Sequence, residues 1–256
     1  LPLLIAPTIA STDSPCSSES VIYTEDGKDL RSDSVRNPDI VIADTEIIGK
    51  APARFLAAGI GDALSTYFEA RSCVKSKSLN QCGGNITIAA YAIAEACHKT
   101  LMKSGTKALQ DCKNQILSKE LNEIIEANIL LSGAGFEGCG LAAAHAIHNG
   151  LTKLPQCSKA LHGEKVAFGV LCSLMLNDSP KTEVDTLFKF CLDCGLPVCL
   201  EDIGLEASDI RSLRIASEAA CAPGETIHKE PVKVNADILL SAILQADEYG
   251  KALKDI

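Results

Sequence analysis

The sequence predicts a mainly α protein, a helical domain preceded by a short β-containing segment. Three observations carry that prediction. From Ala51 onward, apolar residues recur at helical spacing between glycine- and proline-rich breaks. The first fifty residues hold short β-branched runs separated by polar turns instead. The composition, 46% hydrophobic and 22% charged over 256 residues, is that of a globular chain long enough to bury a proper core.

The opening Leu1-Pro-Leu-Leu-Ile-Ala6 reads as a strand. A natural start usually has a polar, frayed end, so a chain opening on leucine within a strand is expected to lack an N-terminal part. Val21-Ile-Tyr-Thr24 and Ile40-Val-Ile-Ala43 read as further strands, separated by the polar stretch from Glu25 to Asp29 and a loop through Asn37-Pro38. Pro52 suits the first turn of a helix carrying Phe55, Leu56, Ile60, Leu64 and Phe68. Further helices are expected over 86–102, 106–115, 119–132, 141–149, 165–176, 181–194, 207–219 and 236–254. Between them lie Gly83-Gly84, Ser104-Gly105, the glycines of 133–140, Pro155, Pro180, Pro197 and Pro223-Gly224 as breakers.

Charge and hydropathy exclude several function classes. A net charge of −9 argues against a nucleic-acid partner, which wants a basic face. No apolar run reaches the roughly 18 residues needed to span a bilayer, and the apolar opening lacks the basic leader of a signal peptide. Twelve cysteines invite a disulfide reading, yet Cys73, Cys97, Cys112, Cys172 and Cys221 fall within helical patterns. Cys191-Leu-Asp-Cys194 has no second pair for a structural zinc site. The expectation is reduced, mostly buried thiols in a cytoplasmic protein.

The chemistry concentrates in few residues. Of five histidines, His145 and His148 sit one helical turn apart on an Ala-rich segment and His162 follows shortly after. Imidazoles so placed serve as metal ligands or proton carriers, or pack as hydrogen-bonded core histidines. Asp62, in Ala57-Ala-Gly-Ile-Gly-Asp62, is a carboxylate within an apolar helical run, where it caps a turn or is paired with a cation. One carboxylate and two imidazoles make the three-ligand set of an open catalytic metal site. His98 reads as a surface helix residue, and His228 is ambiguous. The loop from Pro7 to Ser17 packs hydroxyls around Asp13, as polar-ligand loops and Asx or Ser/Thr turns both do. Neither a P-loop nor a dinucleotide glycine fingerprint is present.

Taken together, five segments resemble the glycerol-oxidising branch of the iron-containing (group III) metal-dependent alcohol dehydrogenases. They are Pro7 to Tyr23, Ala51 to Leu64, Gly140 to Leu151, His162-Gly-Glu-Lys-Val-Ala-Phe-Gly169 and Ala219-Ala-Cys-Ala-Pro-Gly-Glu-Thr-Ile-His228. The resemblance implies the C-terminal helical, metal-binding domain of a dehydroquinate synthase-like α/β + α fold. Residues 1–50 would be a remnant of the NAD-binding domain and 51–256 the metal- and substrate-binding domain. It implies zinc held by Asp62, His145 and His162, with His148 near the substrate as a proton relay. Asp13 would contact the polyol, Phe136 would form an apolar wall, and Thr8, Ser11, Ser17, Glu19 and Tyr23 would line the nicotinamide half of NAD. Glu19 stands where the family has leucine, a contact made through the backbone. Thr66 stands where iron-using relatives carry a fourth, histidine ligand, which favours zinc.

The family's Gly-Gly-Gly-Lys pyrophosphate motif has no match in this chain. The implied activity is NAD-linked oxidation of glycerol and related vicinal diols to dihydroxyacetone, with a small polyol as the substrate partner and a homo-oligomer as the assembly. The alternative is a non-catalytic remnant that binds metal or oligomerises without turnover.

Overall fold

A computed structural model describes residues 1–24, 29–34 and 36–255. Its strands come first and are few. Strand β1 (Leu4–Ile5) pairs in parallel with β4 (Ile40–Val41), Leu4 opposite Ile40. Strands β2 (Glu19–Tyr23) and β3 (Asp29–Ser34) form an antiparallel hairpin with Glu19 opposite Ser34 and a register irregularity at Ile22/Tyr23. The expected turn at 25–28 lies outside the described residues. The strand β3 was not expected, because Asp-Leu-Arg-Ser-Asp-Ser has no apolar alternation and only pairing with β2 makes it a strand.

Among the described residues every regular element from Thr45 onward is a helix. Helix α1 (Thr45–Gly49) is capped by the Asp44 carboxylate. Helix α2 (Ala53–Ser76) is buried along most of its length and packs against α3 (Ile88–Lys113), α5 (Ser132–Cys139) and α7 (His162–Leu176). Such all-round burial follows from its run of Ala, Gly, Ile and Leu, and it makes α2 the axis of the domain. Helices α4 (Lys119–Glu126), α6 (Ala143–Leu151), α8 (Lys181–Asp193), α9 (Ile210–Ala220) and α10 (Ala236–Lys254) complete the layer around it. Thr87, Ser118, Asp209 and Asn235 cap the starts of α3, α4, α9 and α10. Among the described residues no helix is long and apolar enough to cross a membrane.

One expected break is absent and a second is confined to its last glycine, for one physical reason. Ser104-Gly105 does not end a helix; α3 runs through it, with Gly105 against the Phe190 ring and the Ser104 hydroxyl donating to Glu123 Oε2 at 2.7 Å. Gly133, Gly135 and Gly138 likewise lie in α5, which continues α4 through a π turn at Ala127–Leu131, and only Gly140, at a φ of 103°, ends the helix as expected. In both places small residues allow close packing and a neighbouring helix overrides their weak propensity. His98 is also not a simple surface residue. It stacks on Tyr67 with ring centroids 4.7 Å apart, and burial pushes its pKa down.

All twelve cysteines are free thiols, nine of them buried. Burial pushes Cys139 and Cys157 up to about 11 and Cys73 and Cys194 up to about 12. Thiolate is the reactive form, so both access and ionisation protect these residues. Brief iodoacetamide treatment of the native chain at mildly alkaline pH should therefore label exposed Cys82 fully and half-buried Cys16 and Cys221 slowly. The other nine should react only after denaturation, as peptide mass spectrometry would show; rapid native labelling of Cys172 or Cys191 would contradict this core.

Candidate metal centre

The site is built where α2, α6 and α7 meet. Asp62, fully buried on α2, faces His145 from α6 and His162 from the first position of α7. Its Oδ1 lies 3.1 Å from His162 Nε2 and 3.7 Å from His145 Nε2. One ligand atom from each of the three residues falls within 4.8 Å of the others. Three of the predicted site residues, spread over a hundred positions, thus meet at one point.

Local sequence explains the close approach. A Cβ on Gly59 would overlap the Ala10 carbonyl, so the 7–13 loop crosses α2 directly over a glycine. A Cβ on Gly61 would press on the Gly163 carbonyl, and one on Gly163 would overlap the Ala58 carbonyl. Helices α2 and α7 therefore touch backbone to backbone beside the site, which brings His162 onto Asp62. Glu164, at the third position of α7, accepts from the Leu161 N–H at 2.7 Å and takes Arg54 in a two-pronged contact at 2.7 and 2.8 Å. That anchors the start of α7.

Helix α6 has no cap of its own. Glu69, buried on α2, supplies one by accepting from the N–H groups of Ala142 at 2.8 Å and His145 at 3.0 Å. Glu230 accepts from Ala143 N–H at 3.0 Å. Glu69 also holds His145 Nδ1 at 2.7 Å, which turns Nε2 toward Asp62. A carboxylate behind a ligating imidazole fixes its tautomer and raises its basicity. Sequence reading missed Glu69. Its one signal was its position two helical turns beyond Asp62, on the same face of α2.

The electrostatics call for a cation. Burial raises the Asp62 pKa, yet the charges and hydrogen bonds of His162 and His145 outweigh it and hold the carboxyl below its ordinary range. Asp13, whose backbone N–H reaches Asp62 Oδ2 at 3.2 Å, goes the other way, raised well above the ordinary value by burial and by the Asp62 charge. His145 is raised as well: burial lowers it, but Glu69 and Asp62 prevail. Burial and the neighbouring His162, Lys165 and His145 hold His148 well below its usual value. Among the described residues no lysine or arginine bridges Asp13, Asp62 or Glu69. Two imidazoles and a carboxylate in a pocket of excess buried negative charge are a donor set that fits a divalent metal.

The other predicted residues distribute unevenly. Asp13 Oδ2 accepts from the Ser132 hydroxyl at 2.8 Å, and that hydroxyl pairs with Thr66 Oγ1 at 2.8 Å. Thr66, read from sequence only as a missing ligand, thus supports Asp13. Phe136 is buried one turn beyond Ser132 on α5. His148 Nε2 lies 3.0 Å from His162 Nδ1, behind the trio. Thr8 is exposed and Ser11 half-buried on the loop over α2. The Ser17 hydroxyl is used within the loop, on the Ser14 and Glu19 carbonyls at 3.2 and 3.4 Å. Glu19 and Tyr23 fall on β2, the Tyr23 side chain lying outside the described set. Glu137 was not anticipated. It fastens this stretch by accepting from Ser18 N–H and hydroxyl at 2.6 and 2.7 Å and from Asn37 Nδ2 at 2.6 Å. His228 is exposed, with Nε2 3.1 Å from the Ala222 carbonyl.

Replacing Asp13 with the isosteric Asn tests the charge argument. The folded carboxyl has a raised pKa, so the folded state binds the extra proton and loses stability as pH rises from about 3.9 through that raised value. Metal-free Asp13→Asn should escape this loss and be more stable than the parent at neutral pH, with the difference vanishing below about pH 3.9. Its affinity for a divalent metal should fall. Denaturant melts of both proteins across pH check the first result; a less stable variant at neutral pH would show that the two carboxylates do not repel.

No family model matches the chain. It is 49% identical over 256 residues to the glycerol dehydrogenase of Thermotoga maritima, matching all of this chain and 70% of that relative. It superposes on the crystal structure of a probable glycerol dehydrogenase from Sinorhizobium meliloti 1021 with a TM-score of 0.96 at 45% identity, covering 98% of this chain and 71% of that one. For glycerol dehydrogenase from Schizosaccharomyces pombe the TM-score is 0.95 at 40% identity, covering 100% and 65%. A more distant structure, an iron-containing alcohol dehydrogenase from Thermotoga maritima, shares the fold with a TM-score of 0.71 at 19% identity. The architecture is that of the helical domain of this fold, the chain spans about 70% of the Thermotoga maritima relative's length, and it belongs to the glycerol dehydrogenase family.

Proposed function

We propose that this chain is the metal- and substrate-binding part of an NAD-linked dehydrogenase that oxidises glycerol and related vicinal diols at C2, giving dihydroxyacetone. Family membership makes it an oxidoreductase of glycerol-like substrates. The observation that carries the finer reading is the junction of Asp62, His145 and His162, with Asp13 hydrogen-bonded beside them. Asp62 Oδ1, His145 Nε2 and His162 Nε2 are the atoms that would hold the metal. Three nitrogen and oxygen donors, with Thr66 already engaged by Ser132, favour zinc in an open site.

A metal held there would supply polarisation of the substrate hydroxyls, and NAD would supply the hydride acceptor. The chain's own residues prepare the rest. Asp13 is held by Ser132 so that its carboxyl can orient a polyol hydroxyl. Phe136 supplies apolar surface, and burial of Asp62, Glu69 and Asp13 keeps bulk water from the charged groups. Thr8, Ser11, Ser17, Glu19 and Tyr23 are assigned to the nicotinamide side, on the loop and strand that Glu137 fastens.

The test is zinc analysis of the purified chain together with NADH formation from glycerol. Both are measured on this chain and on a version extended to the length of its relatives. Near-stoichiometric zinc and glycerol-dependent NADH formation in the extended protein are expected. Zinc retention without turnover in either version would point to the metal-binding remnant, and neither zinc nor turnover would overturn the assignment.

A further inference from the structure

We propose that Asn149 and Glu225 set the ring orientation and tautomer of His162 through His148, making His148 a positioning residue and not a proton carrier. The proposal rests on the reading of Asp62, His145 and His162 as metal ligands. It follows from counting donors and acceptors along one chain of contacts. His162 Nε2 faces Asp62, so as a ligand it must be bare and the ring proton must sit on Nδ1. Nδ1 lies 3.0 Å from His148 Nε2, which must therefore accept. His148 then carries its own proton on Nδ1, which lies 3.1 Å from Asn149 Oδ1. The Asn149 amide is fixed in this sense because its Nδ2 donates to the Glu225 carboxylate at 3.0 Å.

Each link dictates the next, from a half-buried glutamate at the surface to a ligand nitrogen in the interior. An amide terminates the chain as an acceptor and does not pass a proton on, and both His148 nitrogens are engaged. His148 accordingly acts on His162, which departs from the relay role that family resemblance implies. On the other ligand, Glu69 plays the corresponding part for His145.

The experiment measures zinc affinity of the full chain by chelator competition and histidine tautomers by long-range proton–nitrogen NMR of the zinc-loaded protein. Asn149→Leu should weaken zinc binding about 10-fold, and the milder Glu225→Gln by a few-fold. His148→Leu should lose at least as much as Asn149→Leu. His148→Gln, whose Oε1 can still accept from His162, should stay within about 3-fold of the parent, a rescue a proton carrier would not show. In the parent, His148 should be the Nδ1–H tautomer, and in Asn149→Leu that preference should be lost. A His148 proton on Nε2 in the parent overturns the proposal, as do Asn149→Leu and His148→Leu proteins that bind zinc like the parent. His162→Ala separates the two readings. If it loses zinc while Asn149→Leu keeps it, the ligand set stands and this proposal fails; if the parent retains no zinc, both fail. Should Asn149→Leu not fold, Glu225→Gln at the protein edge carries the same test.

Discussion

Replacing Asp62 with Ala is expected to abolish zinc retention through purification and, with it, most of the metal-dependent stabilisation. A zinc site of four protein ligands is worth roughly 10–16 kcal/mol, about 2.5–4 kcal/mol per ligand, so losing one ligand should cost up to about 4 kcal/mol, close to a 1,000-fold loss of affinity. At zinc concentrations 1,000 times the parent's dissociation constant, binding stabilises the folded parent by about 4 kcal/mol, whereas a variant weakened about 1,000-fold gains only about 0.4 kcal/mol. In the metal-free protein two effects oppose each other. Removing Asp62 leaves the Asp13 N–H and the His162 ring without their acceptor, but it also removes the like charge that raises Asp13. His145 keeps Glu69 in either case. The net metal-free change should therefore be small beside the zinc effect. Asp62's own contribution is in place above the ordinary carboxyl pKa of about 3.9 and is lost as pH falls toward its depressed value. The difference between parent and variant should consequently shrink in acid. Thermal melts with and without zinc decide the matter: a variant that rises in Tm with zinc as the parent does would remove Asp62 from the ligand set.

How far this site could be read in advance depends on which interactions are local. The shared face of His145 and His148 follows from their spacing of three, and both do turn toward the Asp62–His162 junction. Their division of labour does not follow from spacing, because it is decided by Glu69 on α2 and Asn149 on α6. Asp62 was recognisable as an anomalous carboxylate in an apolar helix, yet its partners lie 83 and 100 residues away and only tertiary packing joins them. Glu69, in Tyr-Phe-Glu-Ala-Arg, had only its place two turns beyond Asp62 to set it apart from a surface glutamate, and its role is decided by the uncapped start of a distant helix. The misread breaks at Gly105 and 133–138 have the same origin. Glycine weakens a helix locally by up to about 1 kcal/mol, and helix–helix contact available only to glycine outweighs that. Strand β3 escaped notice because its residues carry no alternation; its identity resides in the pairing with β2.

Gly163→Ala turns the same balance into a measurement with a predicted sign. Gly163 lies in the first turn of α7, where helix propensity alone favours alanine by up to about 1 kcal/mol. Here the added Cβ would overlap the Ala58 carbonyl of α2 and crowd the Asp62 N–H. Neither partner is a side chain that can swing away, so α2 and α7 must separate, and overpacking of this kind costs about 3 kcal/mol. The steric term wins, and the variant should be destabilised by about 2 kcal/mol. Because His162 precedes Gly163 and Asp62 follows Ala58 by one turn, the separation opens the 3.1 Å contact between the two ligands. Disturbing the support of a ligating imidazole in this way should lower zinc affinity by about 10- to 100-fold. Gly84→Ala is the control. Its Cβ would meet only Asn80 at ordinary contact distance, so stability should change by less than about 0.5 kcal/mol and zinc affinity not at all. Denaturant unfolding and chelator competition on both variants read the two quantities separately. A Gly163→Ala protein that is more stable than its parent, or that keeps full zinc affinity, would mean that the α2–α7 backbone contact does not position the metal centre.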